Sequence, residues 1–422
     1  MKILITHFKI QDFGGIINYS EVLAKGFKDL GHGVDSIMFK NKGRTGFPKV
    51  KDRSADEHNG WEWGTGLGLW MHQKTGWQGM YELNYTTDIG EWEYKVKEYD
   101  LIVHAISVPT ATKQTKLDSD WIELYDHKTP QVCIIHDGNI QKLYPHIHFI
   151  KEKLMGLVCV HDSAFNSCEV MEINRMLIPN PHNIPDEQVH IMPMCERSNN
   201  VISVQTFKRC KRADKFVRMV PHLKYGHHAV LCGTGIEYHY MNSKDKVKAD
   251  YLEPDGSRIW ENAIKAGMEY RGVVNSANRD SLFATSKLFL DFSFSKSHNS
   301  HGSVFNRTMI EAMIQGCVPV MSDLTMQGNS LFKERINYVS IPFDASAEEH
   351  GEFINNLMKD EELLDNITTN NLELLYQFER SIIAQKIINL GMGKDIDKTS
   401  FGFATDKFKN DATRKLTHFT GI

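Results

Sequence analysis

The chain has 422 residues, 41% of them hydrophobic and 24% charged, with a formal net charge of -4. That length accommodates two domains with a core each, and the composition excludes a disordered or fibrous chain. The slightly acidic total argues against a protein that coats polyanions without selectivity.

Neither a bilayer-spanning apolar run nor a secretory leader is read, so a cytoplasmic protein is expected. The seven cysteines are scattered without a Cys-x-x-Cys pair, and the 20 histidines are dispersed. They read as reduced core thiols and no metal site.

In chain order, Met1 to Thr6 is a predicted strand, and Gly14-Gly15 opens a helix. Its apolar residues Ile16, Ile17, Val22, Leu23, Phe27 and Leu30 recur at near-helical spacing before Gly31 stops it. Val34 to Phe39 is next as a second strand, a βαβ start. Residues 41–97 hold Trp61, Trp63, Trp70, Trp77 and Trp92 and read as an insertion. LIVHA, VCIIHD and GLVCVHD then read as successive strands of one parallel sheet. From Leu177 to Pro193 the chain is rich in proline, asparagine and charge, which favours an extended linker. Beyond it, VISVQTF, AVLCG, KLFLDFSF and CVPVMS read as strands of a second α/β layer system. A helix is predicted over Glu361 to Leu390, and a polar tail from Gly391.

Several motifs have both a chemical and a structural reading. Gly14-Gly15 after the first strand lets backbone approach a ligand and turns helix N–H groups toward an anion; two glycines also suit a tight turn. They do not form GxGxxG, so the nicotinamide fingerprint is absent. His136-Asp137 ends an apolar strand, where open parallel sheets bind ligands. A lone histidine there is equally a strand cap, but the adjoining carboxylate needs a cation or a ligand hydroxyl. His161-Asp162-Ser163 repeats the arrangement one strand later, with Ser163 favoured as a helix cap and His161 open. Glu311, expected in the first turn of an apolar helix ending at Gly316, either complements the helix dipole or takes the two hydroxyls of a ribose. Asn306 and Arg307 beside it suit sugar and phosphate. From Lys208 to Lys224 seven cations face a single Asp214. The run is either a solvated helix face or a phosphate-binding stretch.

GGIINYSEVLAKGFKDLGHGV and NRTMIEAMIQGCVPVMSD resemble the GT-B glycosyltransferases of the retaining group that uses nucleotide sugars. The resemblance implies an α/β fold with two Rossmann-like domains facing each other across a cleft. An acceptor-binding domain would span residues 1–190, with 41–97 inserted, and a nucleotide-sugar domain residues 191–375. Residues 376–422 would supply a helix returning toward the first domain and a tail. In that group the later glutamate of a Glu-x7-Glu motif binds ribose, which implies this role for Glu311, although Ser303 stands where the first glutamate is expected. The implied donor contacts are Gly14, Gly15, Lys208, Arg209, Lys211, Asn306, Arg307 and Glu311. Lys211 fits the diphosphate lysine by its place before a helix, while the arginine has no unique counterpart.

LIVHAISVPTAT, VCIIHDGNIQKL and VCVHDSAFNS are similar to segments of the bacteriophage DNA α-glucosyltransferase family, which transfers glucose from UDP-glucose to 5-hydroxymethylcytosine. This similarity implies catalytic roles for His136 and Asp137, and acceptor contacts from Ser107, His161 and Arg212. The implied partners are a UDP-sugar and double-stranded DNA carrying 5-hydroxymethylcytosine, with no membrane. No cofactor or metal is required where cations and helix dipoles stabilise the leaving diphosphate. The tryptophans are either ordinary packing or a platform for a flipped base. Glucose and a pentose such as arabinose are both open as donor sugars. The alternatives are a GT-B transferase with a polysaccharide, lipid-linked or small-molecule acceptor, and a non-catalytic DNA- or nucleotide-binding protein on the same fold.

Overall fold

The structure, a computed structural model, describes residues 1–7, 15–40, 80–84, 97–106, 128–136, 153–185, 191–205, 211–233, 259–294, 306–326 and 329–394. Its elements begin with β1 (Lys2–His7), α1 (Gly15–Asp29), β2 (Gly33–Lys40), β3 (Met80–Asn84), β4 (Leu101–Ile106), β5 (Gln131–Ile135), β6 (Leu154–Cys159), α2 (Asp162–Ser167) and β7 (Arg175–Leu177). Next come β8 (Ser198–Val204), α3 (Ala213–Met219), β9 (His228–Cys232), α4 (Ile259–Lys265), β10 (Glu269–Gly272), α5 (Ser276–Thr285), β11 (Ser286–Asp291), α6 (Arg307–Ile314) and β12 (Val318–Ser322). The chain closes with α7 (Asp323–Met326), β13 (Val339–Ile341), α8 (Ala347–Leu357), α9 (Glu361–Leu375) and α10 (Arg380–Gly391).

These elements form two compact units. Among the described residues, one comprises Met1–Asn183 and the segment that begins at Gln377 and carries α10; the other takes up at Ile184 and runs to Tyr376. The sheet of the first unit has the order β3-β2-β1-β4-β5-β6-β7, and every pairing is parallel. The sheet of the second has the order β10-β9-β8-β11-β12-β13, again all parallel. Strands covered by helices on both faces become continuous apolar runs, and β5, β11 and β12 are buried at every position. In each sheet the strand order reverses once, between β1 and β4 and between β8 and β11. Connections on the two sides of such a point run in opposite directions, which opens a crevice at the carboxyl ends of the strands.

The first unit buries Ile3, Ile5, Leu23, Phe27, Val103 and Ile134 around α1, and α10 completes this core with Ile383, Ala384, Ile387 and Leu390. Arg380 Nε meets Asp29 Oδ2 at 2.5 Å and fixes where α10 begins on α1. A buried polar chain crosses the sheet: Thr6 Oγ1 lies 2.6 Å from His104 Nδ1, and His104 Nε2 lies 2.8 Å from Gln131 Oε1. An amide oxygen only accepts, so His104 Nε2 donates to Gln131.

The second unit packs Val201, Phe216, Leu231, Leu288, Val320, Ile341 and Ile354 into one cluster. Arg197 threads this unit and spends its donors on backbone carbonyls. Its Nε donates to Met192 O at 2.8 Å, its NH1 to Phe283 O and Ser286 O, and its NH2 to Gln315 O at 2.9 Å. Burial lowers its pKa from the ordinary arginine value. One side chain thus ties the entry to β8, the start of β11 and the end of α6.

The helix expected over Glu361 to Leu390 is two helices. Tyr376–Phe378 tightens into a 3-10 turn and Glu379 caps α10, accepting from Ser381 N at 2.7 Å and Ile382 N at 3.1 Å. His182 N bonds Phe378 O at 2.8 Å, so the break lies where the chain passes from the second unit to the first. The 41–97 region, expected as an insertion, contributes β3 to the sheet edge beside β2; its tryptophans lie outside the described residues. Among the described residues no helix is long and apolar enough to cross a membrane.

Two tests address this architecture. Gly316 comes after α6 at φ +72°, where a Cβ would lie 2.5 Å from Arg197 NH2 and from Ile191. Gly31 has φ +81° with open space around it. Gly31→Ala should therefore cost only the left-handed backbone penalty, about 1 kcal/mol, and Gly316→Ala about 2 kcal/mol or more, read from denaturant midpoints. His350 is buried against Phe292, with Nε2 2.7 Å from Pro342 O, and burial lowers its pKa below the ordinary 6.5. A base whose folded pKa is depressed contributes stability that is present above its unfolded pKa and lost as pH falls through the folded one. Melting temperature should fall as pH drops below about 6.5, and His350→Gln should flatten that part of the curve.

Candidate active site

The second unit carries the more complete constellation. Its switch point lies between β8 and β11, and most of the donor residues expected from the sequence leave from those two strands. The chain departs β8 toward Lys211 and α3, and departs β11 toward Asn306 and α6. Lys208 and Arg209 lie outside the described residues.

Asp291 closes β11 and ties it to the start of α6. Its Oδ1 accepts from Ser293 N at 2.7 Å and from the Ser293 hydroxyl, while Oδ2 accepts from Asn306 Nδ2. Asn306 in turn caps α6, its Oδ1 accepting from Thr308 N at 3.1 Å. Its amide therefore joins strand to helix through one N–H and its oxygen. With the cap at Asn306, Glu311 is the fifth residue of α6 and stands in the second turn, not the first, so the helix dipole does not account for it. Glu311 is 8% exposed, and both its oxygens are engaged. Oε1 takes Arg307 Nε at 2.8 Å, one turn earlier on α6, and Oε2 takes Arg279 NH1 at 2.8 Å from α5. Two guanidinium groups compensate the desolvation of this carboxylate and keep it aimed.

Arg279 was not legible in the sequence, because nothing in its own helix marks it; only the tertiary approach of α5 to α6 does. Asp291 carries the same signal that singled out Asp137, a carboxylate at the end of an apolar strand, and could have been found by it.

On the other flank, Lys211 is half-buried just before α3. Arg212 caps that helix in the left-handed region, φ 49° and ψ 43°. Its Nε and NH2 grip the buried Asp214 at 2.8 and 2.6 Å, and its guanidinium lies 5.6 Å from the Phe343 ring. Arg212, expected as an acceptor contact, is thus paired with Asp214. The Lys215 amine sits 4.5 Å over the same ring, and burial followed by the nearby Arg212 lowers its pKa. The predicted basic run is therefore neither a uniform solvated face nor a uniform phosphate site.

In the first unit, Gly15 opens α1 beyond β1 and His136 comes directly after β5. The His136 ring is half-buried and meets the Tyr19 ring of α1 edge-on, centroids 4.7 Å apart. Tyr19 is 1% exposed, and burial raises its phenol pKa strongly, so it is a neutral wall to that histidine. His161 is the cap of α2: its Nδ1 accepts from Ala164 N at 3.1 Å. Ser163, expected in that role, lies inside the helix. Gly14, Ser107 and Asp137 lie outside the described residues. Among the described residues no cluster of three or more His, Cys, Asp or Glu could hold a metal ion.

No family model matches the chain, and no curated protein matches it in sequence. Solved structures do match it along most of its length. Anabaena Alr3699/HepE in complex with UDP is 14% identical, with a TM-score of 0.63 over 92% of this chain and 99% of that one. An alpha-glucosyltransferase in complex with UDP and a 13-mer DNA containing an HMU base is 14% identical, with a TM-score of 0.62 over 93% of this chain and 99% of that one. The lipopolysaccharide outer core galactosyltransferase WaaB is 13% identical, with a TM-score of 0.58 over 92% and 99%. At these identities the likeness is one of fold, and with two all-parallel sheets each reversing once at a switch point, the chain has the α/β GT-B fold.

Proposed function

We propose that the protein is a retaining glycosyltransferase that moves a sugar from a UDP-sugar to the hydroxyl of 5-hydroxymethylcytosine in DNA. The observation that carries the donor half is Glu311, a carboxylate pinned at both oxygens beside the switch point of the second unit. A carboxylate so placed suits the paired hydroxyls of a ribose. Lys211, before α3 on the other flank of the switch point, suits the diphosphate. Support comes from neighbours whose structures hold UDP or UDP-glucose.

In the reaction proposed, the bond between the anomeric carbon and the diphosphate oxygen breaks as the acceptor hydroxyl attacks from the same face. The hydroxyl proton leaves with the diphosphate. Lys211 stabilises the charge developing on that leaving group. His136, backed by Tyr19, and Asp137 act on the acceptor side. The donor sugar is glucose or a pentose such as arabinose.

The acceptor rests on the segments around His136 and His161 and on the neighbour holding DNA. A second reading, a polysaccharide, lipid-linked or small-molecule acceptor, is favoured by neighbours of comparable likeness. A mutant form of S. aureus TarM in complex with Fondaparinux, alpha-GlcNAc-glycerol and UDP has a TM-score of 0.59 at 10% identity.

The deciding experiment offers UDP-hexoses and UDP-pentoses with duplex DNA containing 5-hydroxymethylcytosine, with cytosine DNA as control, and reads the nucleosides by mass spectrometry. An adduct confined to modified DNA is expected; donor hydrolysis without an adduct would remove the DNA acceptor. Lys211→Ala should weaken UDP binding about tenfold, roughly 1.4 kcal/mol, by calorimetry. Arg279→Ala should weaken it too, because Glu311 loses one of its two anchors. Asp137→Asn should abolish transfer while leaving the melting temperature near that of the parent, and retained turnover would remove Asp137 from the reaction.

A further inference from the structure

The two strands that meet at the switch point of the second unit end differently. Asp291, at the end of β11, has both carboxylate oxygens bonded. Gln205 stands directly after β8, and its amide is bonded at one end only. Its Nε2 donates to Ser203 Oγ at 3.2 Å, while Oε1 is closed off from solvent and accepts no hydrogen bond.

That half-bonded amide is out of keeping with its unit. The buried amides of Asn337, Asn355 and Asn371 are bonded through nitrogen and oxygen alike. An amide oxygen taken out of water without a donor forfeits its hydration and gains nothing, so nearly all such atoms in folded proteins are paired. Among the described residues of this unit, the Ser286 hydroxyl is also buried and unbonded, but it lies at the opposite, amino end of β11.

The surroundings hold Gln205 in place. Its backbone N–H bonds Cys232 O at 3.1 Å, which extends the pairing of β8 with β9 past Val204. Beside it, Gly233 N bonds Gly272 O at 2.7 Å, and Gly233 O accepts from the Tyr270 hydroxyl at 3.0 Å. The exits of β8, β9 and β10 are thereby tied together. The buried Ser203 anchors the amide nitrogen, and Gln205 itself is half-buried. An acceptor fixed in advance loses little entropy when a donor group reaches it.

We propose that Gln205 is a further donor-binding residue, whose amide oxygen accepts a hydrogen bond from the nucleotide sugar at the switch point. This contact rests on the UDP-sugar reading above. The chemistry narrows the partner. Phosphate oxygens only accept, so the diphosphate is left to Lys211. The groups that can donate to Oε1 are the hydroxyls of the ribose or of the transferred sugar, and the uracil N–H.

The test measures UDP and UDP-glucose binding by calorimetry for the parent and for Gln205→Leu, which keeps the bulk and removes the amide. UDP-glucose binding should weaken about tenfold, as for one hydrogen bond lost in a dry site. Equal loss on UDP places the partner on the nucleotide; loss confined to UDP-glucose places it on the transferred sugar. The melting temperature should hold, since leucine leaves no acceptor unpaired. A lower one would mean that the amide supports the fold. Ser203→Ala, which only releases the anchored end, then decides by the same affinities: weaker binding upholds the contact and unchanged binding overturns it. A stable Gln205→Leu variant that binds both ligands as the parent does overturns the contact and leaves the donor site standing. A parent that binds neither ligand overturns the donor reading itself, and the contact with it.

Discussion

The bond between Asp291 and Asn306 is the constraint on which the second unit's chemistry depends. A parallel strand ends with its polar groups at one edge, and the next helix starts there with unsatisfied N–H groups. Asp291 joins the two by holding the residue that caps α6. That anchor sets the phase of the helix, and the phase decides that Arg307 and Glu311 share a face one turn apart. Arg279 then meets Glu311 from α5, and a buried carboxylate is held between two guanidinium groups. Each step is ordinary electrostatics; the order in which they occur makes the edge of this sheet specific.

The first unit repeats the geometry with different materials. Among the described residues, its sheet edge presents the imidazoles of His136 and His161, and His136 is walled by the Tyr19 ring. Tyr19 restrains His136 by shape and burial, whereas Glu311 is restrained by charge. The contrast between the units fits a division between acceptor chemistry and donor binding.

Much of this was legible in the sequence. The strands around LIVHA, VCII, VISV, KLFLD and CVPVMS were visible as apolar runs because both faces of a parallel sheet are covered. The position of Glu311 was visible too, though not its turn of the helix, since the cap depends on a bond to Asp291 that local sequence does not announce. The break between α9 and α10 was hidden because apolar periodicity continues through it, and the glutamate that caps the second helix looks like any surface glutamate. Arg279 was hidden for a different reason: an ion pair between two helices leaves no periodic trace. The basic run was visible as charge, but the pairing of Arg212 with Asp214 and the approach of Lys215 to the Phe343 ring are decided by helical phase.

The central claim is that UDP binds at the switch point of the second unit, with its ribose on Glu311. A crystal structure of the protein grown with UDP tests this most directly. The account predicts the ribose hydroxyls within hydrogen-bond distance of the Glu311 carboxylate and the diphosphate beside Lys211. UDP bound at another edge of the molecule, with Glu311 still closed between Arg279 and Arg307, would contradict it.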